Sequence, residues 1–504
     1  MRGDTNKRLT VLSEAEKFAL YGLPVFDDFQ RTEFFAMTEA EHDLAFQRQG
    51  LIEQVYCLVQ LGYFKAKQAF FRFSLEDVPP EDIDFLLVRY FPGQTLTTRQ
   101  LRDYEYYAQR KEIADLFGYR LWSDGDLPIL QEKATLLART DVTATFLLTE
   151  LMAFLNGKCI VRPGYTTLQN LIIDTLVAER QRLEQLIDAA LDDVAKAALQ
   201  KLLVSENTLS ELAAIKQDAK HFGYHMMVLE RQKRATLAPL YVIAKALVPS
   251  LGISQLNIAY YASLANYYTI YDLRRIKSGQ TNLYLLCYVW QRYRQLSDNL
   301  VDALGYHLKK LGDETKESAN QQAAQVHAEQ QQGAQQVGRL LLLYVDDALE
   351  DTTPFGSVRS QAFSIMPKEA LLTTGKRLSE KPVTQLDLRW QAVDKQARRC
   401  TKNLRPLAMA LDFSSSAGNS PWLAALHWMK SVFARQQRLT QRPLDEIPES
   451  TSPKRLRTYL LNFDQDGNPV SLRGDRYEFW VYRQIRKRLD TSFRWNLSAS
   501  STFF

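Results

Sequence analysis

The segment Tyr267–His307 limits the possible folds of this chain more than any other part of it. Its second half predicts an amphipathic helix, since apolar side chains recur about every 3.6 residues at Leu283, Leu286, Cys287, Trp290, Tyr293 and Leu300. Arg292 and Arg294 fall outside that apolar face. A turn is expected before this helix, at the basic residues Arg274, Arg275 and Lys277, with Gly279 as the helix breaker. Cations beside aromatic rings suit a surface that holds a polyanion, although a core helix with a solvated basic rim has the same pattern.

Helical signals continue along nearly the whole sequence. Ser13–Glu16 and Thr38–Glu41 have the spacing of capping boxes at helix starts. Strand signals are few and short, at Val78–Arg89 and Thr458–Phe463. The expected fold is all-α and multi-domain, with several small helical units joined by long helices.

At 504 residues and about 150 residues per domain, the chain should contain several domains. The pattern predicts helical units over 1–122 and 123–200, and a long helix with a third unit over 201–311. A further helical region is expected over 312–440, a linker over 441–489 and a separate tail over 490–504.

Three segments have compositions that predict their structure. An amphipathic helical stretch, Thr175–Ala246, is expected to space the helical units. The Gln- and Ala-rich segment Ala319–Gln336 favours an exposed helix over a disordered linker. Gln441–Asp475 is polar and contains four prolines, which is typical of an extended linker.

Charge and cysteine content narrow the possible functions. The formal charge of +5 permits nucleic-acid binding without requiring it. The cysteines lack metal or redox spacing and are expected to be buried, reduced thiols at Cys57, Cys159, Cys287 and Cys400. The polar N-terminus does not resemble a signal peptide, and no apolar run could span a bilayer. A cytoplasmic protein without a membrane partner is expected.

Several blocks of the sequence, in the same order, resemble the Tn-three family of replicative transposases. The central block is Tyr271–Arg275 with Leu285–Ala303. The other similar blocks, which together cover the chain from about Leu9 to Leu489, are Arg48–Phe71, Tyr106–Arg120, Arg162–Thr175, Ser420–Pro448 and Arg473–Leu489. The resemblance implies a bacterial, nucleoid-associated protein that binds the terminal inverted repeats of a transposon as double-stranded DNA. It also implies that the units over 1–122, 123–200 and 201–311 bind DNA, that 312–440 is a dimerisation region and that the tail over 490–504 diverges from the family. A homodimer, or a heterodimer with a full-length transposase, is expected.

Candidate DNA contacts follow from charge and from position in these blocks. A helix-turn-helix-like pair is expected, with one helix beginning at Arg99 after Thr97 and Thr98 and the next over Gln109–Phe117. The basic side chains expected to contact DNA are Arg48, Arg72, Arg99, Arg102, Arg110, Lys111, Arg162, Arg274, Arg275 and Lys277.

Catalysis is a separate question. Family members cut and join DNA with three acidic residues that hold two divalent metal ions, expected to be magnesium, in a ribonuclease-H-like domain. No block of this chain resembles those motifs, so we assign no catalytic residue, metal ligand or cofactor. The sequence after Leu489 does not resemble the family, which favours a truncated transposase over a deliberately short protein. The alternatives are an interaction protein that dimerises with an intact transposase and inhibits it, and an enzyme completed by a catalytic domain on another chain.

Overall fold

The computed structural model describes residues 11–96, 103–204, 210–350, 352–414, 421–448 and 450–491. The first helices, α1 to α11, are Glu14–Tyr21, Asp28–Phe34, Glu39–Phe46, Leu51–Lys67, Pro80–Tyr90, Asp103–Leu116, Leu127–Thr140, Ala144–Gly157, Tyr165–Ala190, Asp193–Lys201 and Glu211–Lys216. The next, α12 to α22, are Tyr224–Leu247, Gln255–Tyr267, Ile270–Arg275, Ser278–Leu343, Phe355–Ile365, Lys368–Ser379, Gln385–Lys395, Ala397–Ala410, Pro421–Ala434, Arg457–Leu460 and Gly474–Thr491. Short 3₁₀ turns are Asp124–Asp126, Val248–Leu251, Leu439–Gln441, Leu444–Glu446 and Lys454–Leu456.

Within the described residues, the single β-sheet is one antiparallel pair of strands, β1 (Leu461–Phe463) and β2 (Pro469–Leu472). Leu461 lies opposite Leu472, and the register shifts between Asn462 and Phe463. The expected all-α class is therefore confirmed. No helix in the described part of the chain is long and apolar enough to cross a membrane.

The chain divides into two compact units. Unit 1 comprises Met1–Ala213 and Leu240–Gln291, and unit 2 comprises Ala214–Pro239 and Arg292–Phe504. The division therefore falls within α11, α12 and α15 and differs from the divisions expected from the sequence.

The two predicted capping boxes are present. At the start of α1, the Glu16 amide donates to the Ser13 hydroxyl at 3.3 Å, and the Ser13 amide donates to the Glu16 carboxylate at 2.8 Å. Thr38 and Glu41 form the same reciprocal pair at the start of α3, at 3.3 Å and 3.0 Å. These bonds satisfy amide groups that would otherwise lack a partner in the first helical turn.

The strand predicted over Val78–Arg89 is wrong, because most of it forms α5. Pro80 opens that helix, where its missing amide hydrogen costs nothing, and Glu81 and Asp82 complement the positive end of the helix dipole. Ile83 and Leu86 are three residues apart and both are buried. The apolar run is compatible with either structure, and its packing into the cluster around α4, together with these start signals, favours the helix.

Two of the hydrophobic clusters formed by the described residues lie in unit 1. One surrounds α4, where every residue from Val55 to Phe64 is buried, and Tyr63 and Phe64 contact several other rings. The other lies between α7, α8 and α9 and includes Leu130, Leu151 and Ile172. Asn257 fixes α13 against this second cluster, since its amide donates to the Ala138 carbonyl at 2.7 Å and accepts from the Val142 amide at 2.9 Å.

The long helical stretch predicted over Thr175–Ala246 is interrupted. It contains the second part of α9, then α10, α11 and nearly all of α12, so it is not one spacer helix. One break occurs because Asp192 caps α10, accepting from the Ala195 amide at 2.7 Å. The predicted helix over the Gln- and Ala-rich segment 319–336 is confirmed, since it lies inside α15.

Unit 2 has a large core to which the predicted linker contributes. Leu456, Leu460, Leu461 and Leu472 are buried in the same cluster as the side chains of α20 and α22. Residues 441–475 therefore do not form an extended linker, and the prediction of a linker over 441–489 is wrong. The prolines break regular helices there without preventing the leucines between them from being buried.

Candidate nucleic-acid interface

A short basic helix, α14, lies between α13 and α15 in unit 1. Thr269 and Asp272 form a capping box at its start, and the Thr269 hydroxyl donates to the Asp272 carboxylate at 2.7 Å. Leu273 is buried, and its carbonyl accepts from the Thr281 hydroxyl at 2.8 Å. The cap and these two anchors hold a six-residue helix that would not persist alone.

The predicted helix breaker is misplaced by a few residues. Gly279 lies in the first turn of α15, and the extended residue Ile276 ends α14. At Gly279 a Cβ would approach the Asp188 carboxylate to 3.0 Å and lie 3.5 Å from the Glu184 side chain. This glycine thus permits α15 to begin close to α9. The turn between α14 and α15 lies before it, at Ile276.

The structure brings together the three cations predicted at this turn, but they have different partners. The Arg274 guanidinium donates to the Leu203 carbonyl, so this side chain connects α14 to the segment after α10. Arg275 lies over the Tyr271 ring, with the guanidinium carbon 5.3 Å from the ring centre and Nη1 3.4 Å from the hydroxyl. Lys277 is exposed. All three residues are exposed, and Arg274 is the one whose guanidinium is held by a backbone carbonyl of a distant segment.

Exposed tyrosines occur on α13 and α14, and one of them, Tyr271, contacts Arg275. Tyr267 and Tyr271 are 81% and 66% exposed, and Tyr260 is 47% exposed. Tyr260 and Tyr267 are seven residues apart on α13 and therefore share one face. We call Tyr260, Tyr267, Tyr271, Arg275 and Lys277 the α13–α15 surface. The sequence marked the segment as aromatic, but no tyrosine was selected as a site residue.

A second layer of rings supports this surface. Tyr284 of α15 stacks on Tyr268 at 6.3 Å and on Tyr261 at 6.1 Å between ring centres. Tyr267 meets Tyr268 edge-on at 5.6 Å. Tyr261 and Tyr284 are neutral at physiological pH, and burial raises the pKa of both above the ordinary tyrosine value. The exposed rings thus rest on a rigid neutral layer, which suits stacking and groove contacts.

A second basic group lies near the N-terminus. Arg110 lies between two rings, with its guanidinium carbon 5.2 Å from the centre of Phe70 and 5.4 Å from that of Tyr106. Arg72 is exposed and acts electrostatically on Tyr106 as well, so Arg72 and Arg110 lie around one ring. Lys111 is exposed. Residues 109–117 were predicted to form the second helix of a helix-turn-helix-like pair, but residues 109–116 are the end of α6, which runs without a turn from Asp103.

The other predicted contacts have partners inside the protein or cannot be placed. Arg48 pairs with Glu112, and its side chain is only 12% exposed. The Arg162 guanidinium donates to the Lys67 carbonyl, and burial lowers the pKa of Arg162. Arg99 and Arg102 lie outside the residues that the structure describes, as does the predicted cap at Thr97 and Thr98. The positive charges of Arg48 and Arg162 suggested phosphate contacts, but both guanidinium groups bind acceptors within the protein.

Arg292, which the sequence placed outside the apolar face, is buried in unit 2. Its guanidinium donates to the Ile215 carbonyl at 2.9 Å and 3.1 Å, to the Gln217 carbonyl at 2.9 Å and to Asp218 at 2.6 Å. These carbonyls lie at the end of α11 and just after it, where a helix leaves its last acceptors without amide partners. Arg292 satisfies them and is not part of an exposed basic rim.

The cysteines differ from the prediction at one position. Cys57, Cys287 and Cys400 are buried free thiols, whereas Cys159 is exposed at a turn with a φ of 51°. In the described ranges, no group of three or more His, Cys, Asp or Glu side chains is arranged to hold a metal ion.

Comparison with known proteins gives one partial match. Residues 11–175 match a protein family described as a domain of unknown function, DUF4158. The matched range contains Arg48, Arg72, Arg110, Lys111 and Arg162, and it ends before α13. None of the curated proteins matches the chain.

Proposed function

We propose that this protein binds double-stranded DNA at the terminal inverted repeats of a transposon, as the DNA-binding part of a Tn-three family replicative transposase. The DUF4158 domain is known in the N-terminal region of transposases of this family. The observation that carries the DNA-binding role is the α13–α15 surface, where accessible cations and exposed rings are fixed by a capped helix.

In this proposal, Arg275 and Lys277 neutralise backbone phosphates and set the register of the protein on the duplex. The exposed rings of Tyr267 and Tyr271 make apolar and polar contacts in the adjacent groove. Arg274 acts indirectly by fixing α14 to the Leu203 carbonyl. Arg72, Arg110 and Lys111 form a second contact region in the matched domain. Reading two separated regions of a terminal repeat would give more discrimination than either region alone.

The test is DNA affinity of the Arg275→Gln/Lys277→Gln double variant across a salt series. Loss of two phosphate contacts should reduce the slope of log affinity against log salt by about 1.8. The matched control is Arg398→Gln, since Arg398 is an exposed arginine at the first turn of α19 in unit 2. An unchanged slope in the double variant would remove the α13–α15 surface from the DNA interface.

A second candidate function is binding to an intact transposase as an inhibitory partner. It is favoured by the exposed apolar side chains of Leu341, Leu342, Tyr344, Val345 and Phe355 at the end of α15 and after it, which are 64–72% exposed. Contiguous exposed apolar side chains are a feature of protein interfaces. Co-expression of this chain with a full-length relative, followed by pull-down of wild type and a Leu341→Gln/Leu342→Gln variant, tests it. Co-purification that is lost in the variant supports the inhibitor, and no co-purification of the wild type removes it.

A further inference from the structure

A cavity of about 330 Å³ lies within unit 2, remote in sequence from every predicted DNA contact. Side chains of α15, α18, α22 and the 3₁₀ turn Lys454–Leu456 line it. Its cationic lining residues are Arg389, Arg455, Arg483 and Lys487. Cavities of this size hold small ligands in many proteins.

The charge of this cavity is one-sided. No Asp or Glu is among its described lining residues. Arg389, Arg455 and Arg483 form no ion pair or hydrogen bond with any residue in the described ranges. Other arginines that line the core of unit 2 do have such partners. Arg405 binds Glu478 at 2.6 Å and 2.9 Å, and Arg476 binds Asp394 at 2.6 Å and 2.8 Å.

Unneutralised arginines at such close quarters oppose folding. Burial lowers the pKa of Arg483, and the nearby charges of Arg389 and Arg486 lower it further. Like charges around a partly enclosed cavity repel each other more strongly than they would in open water. Structural arginines elsewhere in this unit avoid that cost by pairing with carboxylates. An anion bound in the cavity would remove this cost by neutralising the arginines.

The rest of the cavity is apolar and contains two indole rings. Trp390 and Trp480 line it together with Val393, Leu456 and Phe479. Trp390 is only 6% exposed, and its buried Nε1–H has no hydrogen-bond acceptor. The Trp480 N–H, by contrast, donates to the Thr451 carbonyl at 3.1 Å. The lining therefore offers cationic donors and flat apolar surface.

We propose that this cavity binds a nucleotide, with its phosphates on Arg389, Arg455 and Arg483 and its base against the Trp480 indole and the apolar side chains. Arginine guanidinium groups match phosphate oxygens through paired hydrogen bonds, and aromatic rings stack on bases of any sequence. The nucleotide is either free in solution or part of a single DNA strand. The site lies wholly in unit 2, so it does not depend on the duplex-binding role of the α13–α15 surface.

Isothermal titration of the full chain tests the proposal, with adenosine diphosphate as the main probe. Pyrophosphate and adenosine test the two halves of the cavity, and a six-nucleotide single strand of deoxyadenosine tests the DNA source. Binding of adenosine diphosphate or of the single strand, tighter than that of pyrophosphate or adenosine, is expected. Absence of binding of both nucleotide probes at millimolar concentration overturns the proposal. So does pyrophosphate binding as tightly as adenosine diphosphate, since the apolar side would then contribute nothing.

Variants assign the binding to these residues. Arg389→Gln and Arg483→Gln should each weaken binding by about ten-fold or more, since each removes charged hydrogen bonds. The control is Arg457→Gln, an exposed arginine of α21 that does not line the cavity. Equal weakening in the control, or none in the two variants, would contradict the assignment.

Thermal melting without ligand distinguishes a binding site from a structural cluster. Removing one of several repelling cations should leave the melting temperature unchanged or raise it, as is common when a functional charge is deleted. A marked fall in melting temperature for Arg483→Gln would show that the arginines stabilise the fold, which would overturn their role as a ligand site.

Discussion

Replacing Arg292 by methionine should strongly destabilise unit 2. The guanidinium is 4% exposed and supplies three hydrogen bonds to the carbonyls of Ile215 and Gln217. Methionine has a similar length but donates no hydrogen bond, so two carbonyls lose their partners. The ion pair with Asp218 adds little, because that carboxylate is 71% exposed.

The expected loss follows from these contacts. Removing the charged partner of buried polar groups costs about 3–5 kcal/mol. For a unit of this size, about 2–4 °C of melting temperature is lost per kcal/mol. The variant should therefore melt about 6–20 °C below the wild type. Arg292→Lys keeps the charge but not the forked geometry and should lie between the two.

Differential scanning calorimetry and amide exchange measure this effect. Exchange should accelerate around residues 215–218, which the guanidinium holds. Arg294→Gln is the matched control, since Arg294 is an exposed arginine on the same helix. If Arg292→Met melted like the wild type but bound DNA weakly, Arg292 would be a DNA contact and the structural argument would be refuted.

Three further perturbations test other parts of the fold. Gly62→Ala should destabilise unit 1 by about 1–3 kcal/mol in denaturant unfolding, because the added Cβ would lie 2.5 Å from Phe35 Cδ1. Gly157→Ala is the control and should not destabilise it, because the space around Gly157 is open. The Arg120 guanidinium holds the pKa of the Asp126 carboxyl well below its usual range. The Asp126 carboxylate therefore stabilises the fold at pH values above the unfolded pKa of about 3.9. This stabilisation is lost as the pH falls through the folded pKa. The melting temperature of Asp126→Asn should accordingly lie below that of the wild type at neutral pH and approach it in acid, and a constant difference would contradict this. A thiol reagent should label Cys159 alone in the native protein. Burial raises the pKa of Cys57 and of Cys287 to about 12, and Cys400 is also buried. Rapid labelling of a second cysteine would show that the core opens.

Local signals predicted much of the fold. The capping boxes at Ser13 and Thr38 specify helix starts through contacts three residues apart, and periodicity identified α15. The α5 and 441–475 predictions failed for a different reason. Whether an apolar run such as Ile83–Leu87 becomes strand or helix, and whether leucines between prolines are buried, depends on distant parts of the chain.

The candidate sites show the same limit more sharply. Charge and spacing located the cations of α14, which are local in sequence. They could not show that Arg274 and Arg275 have different partners, because the partner of Arg274 is the carbonyl of Leu203, far away along the chain. The cavity of unit 2 gave no sequence signal at all, since Arg389, Arg455 and Arg483 come from separate elements.

The central claim is that this protein recognises transposon ends, and fluorescence anisotropy tests it most directly. The full chain would be titrated into a labelled duplex of the terminal inverted repeat of its own element and into a scrambled duplex of equal length. The account predicts tighter binding to the repeat that persists near physiological salt, since base contacts add to phosphate contacts. Equal affinity for the two duplexes, or no binding to either, would contradict it.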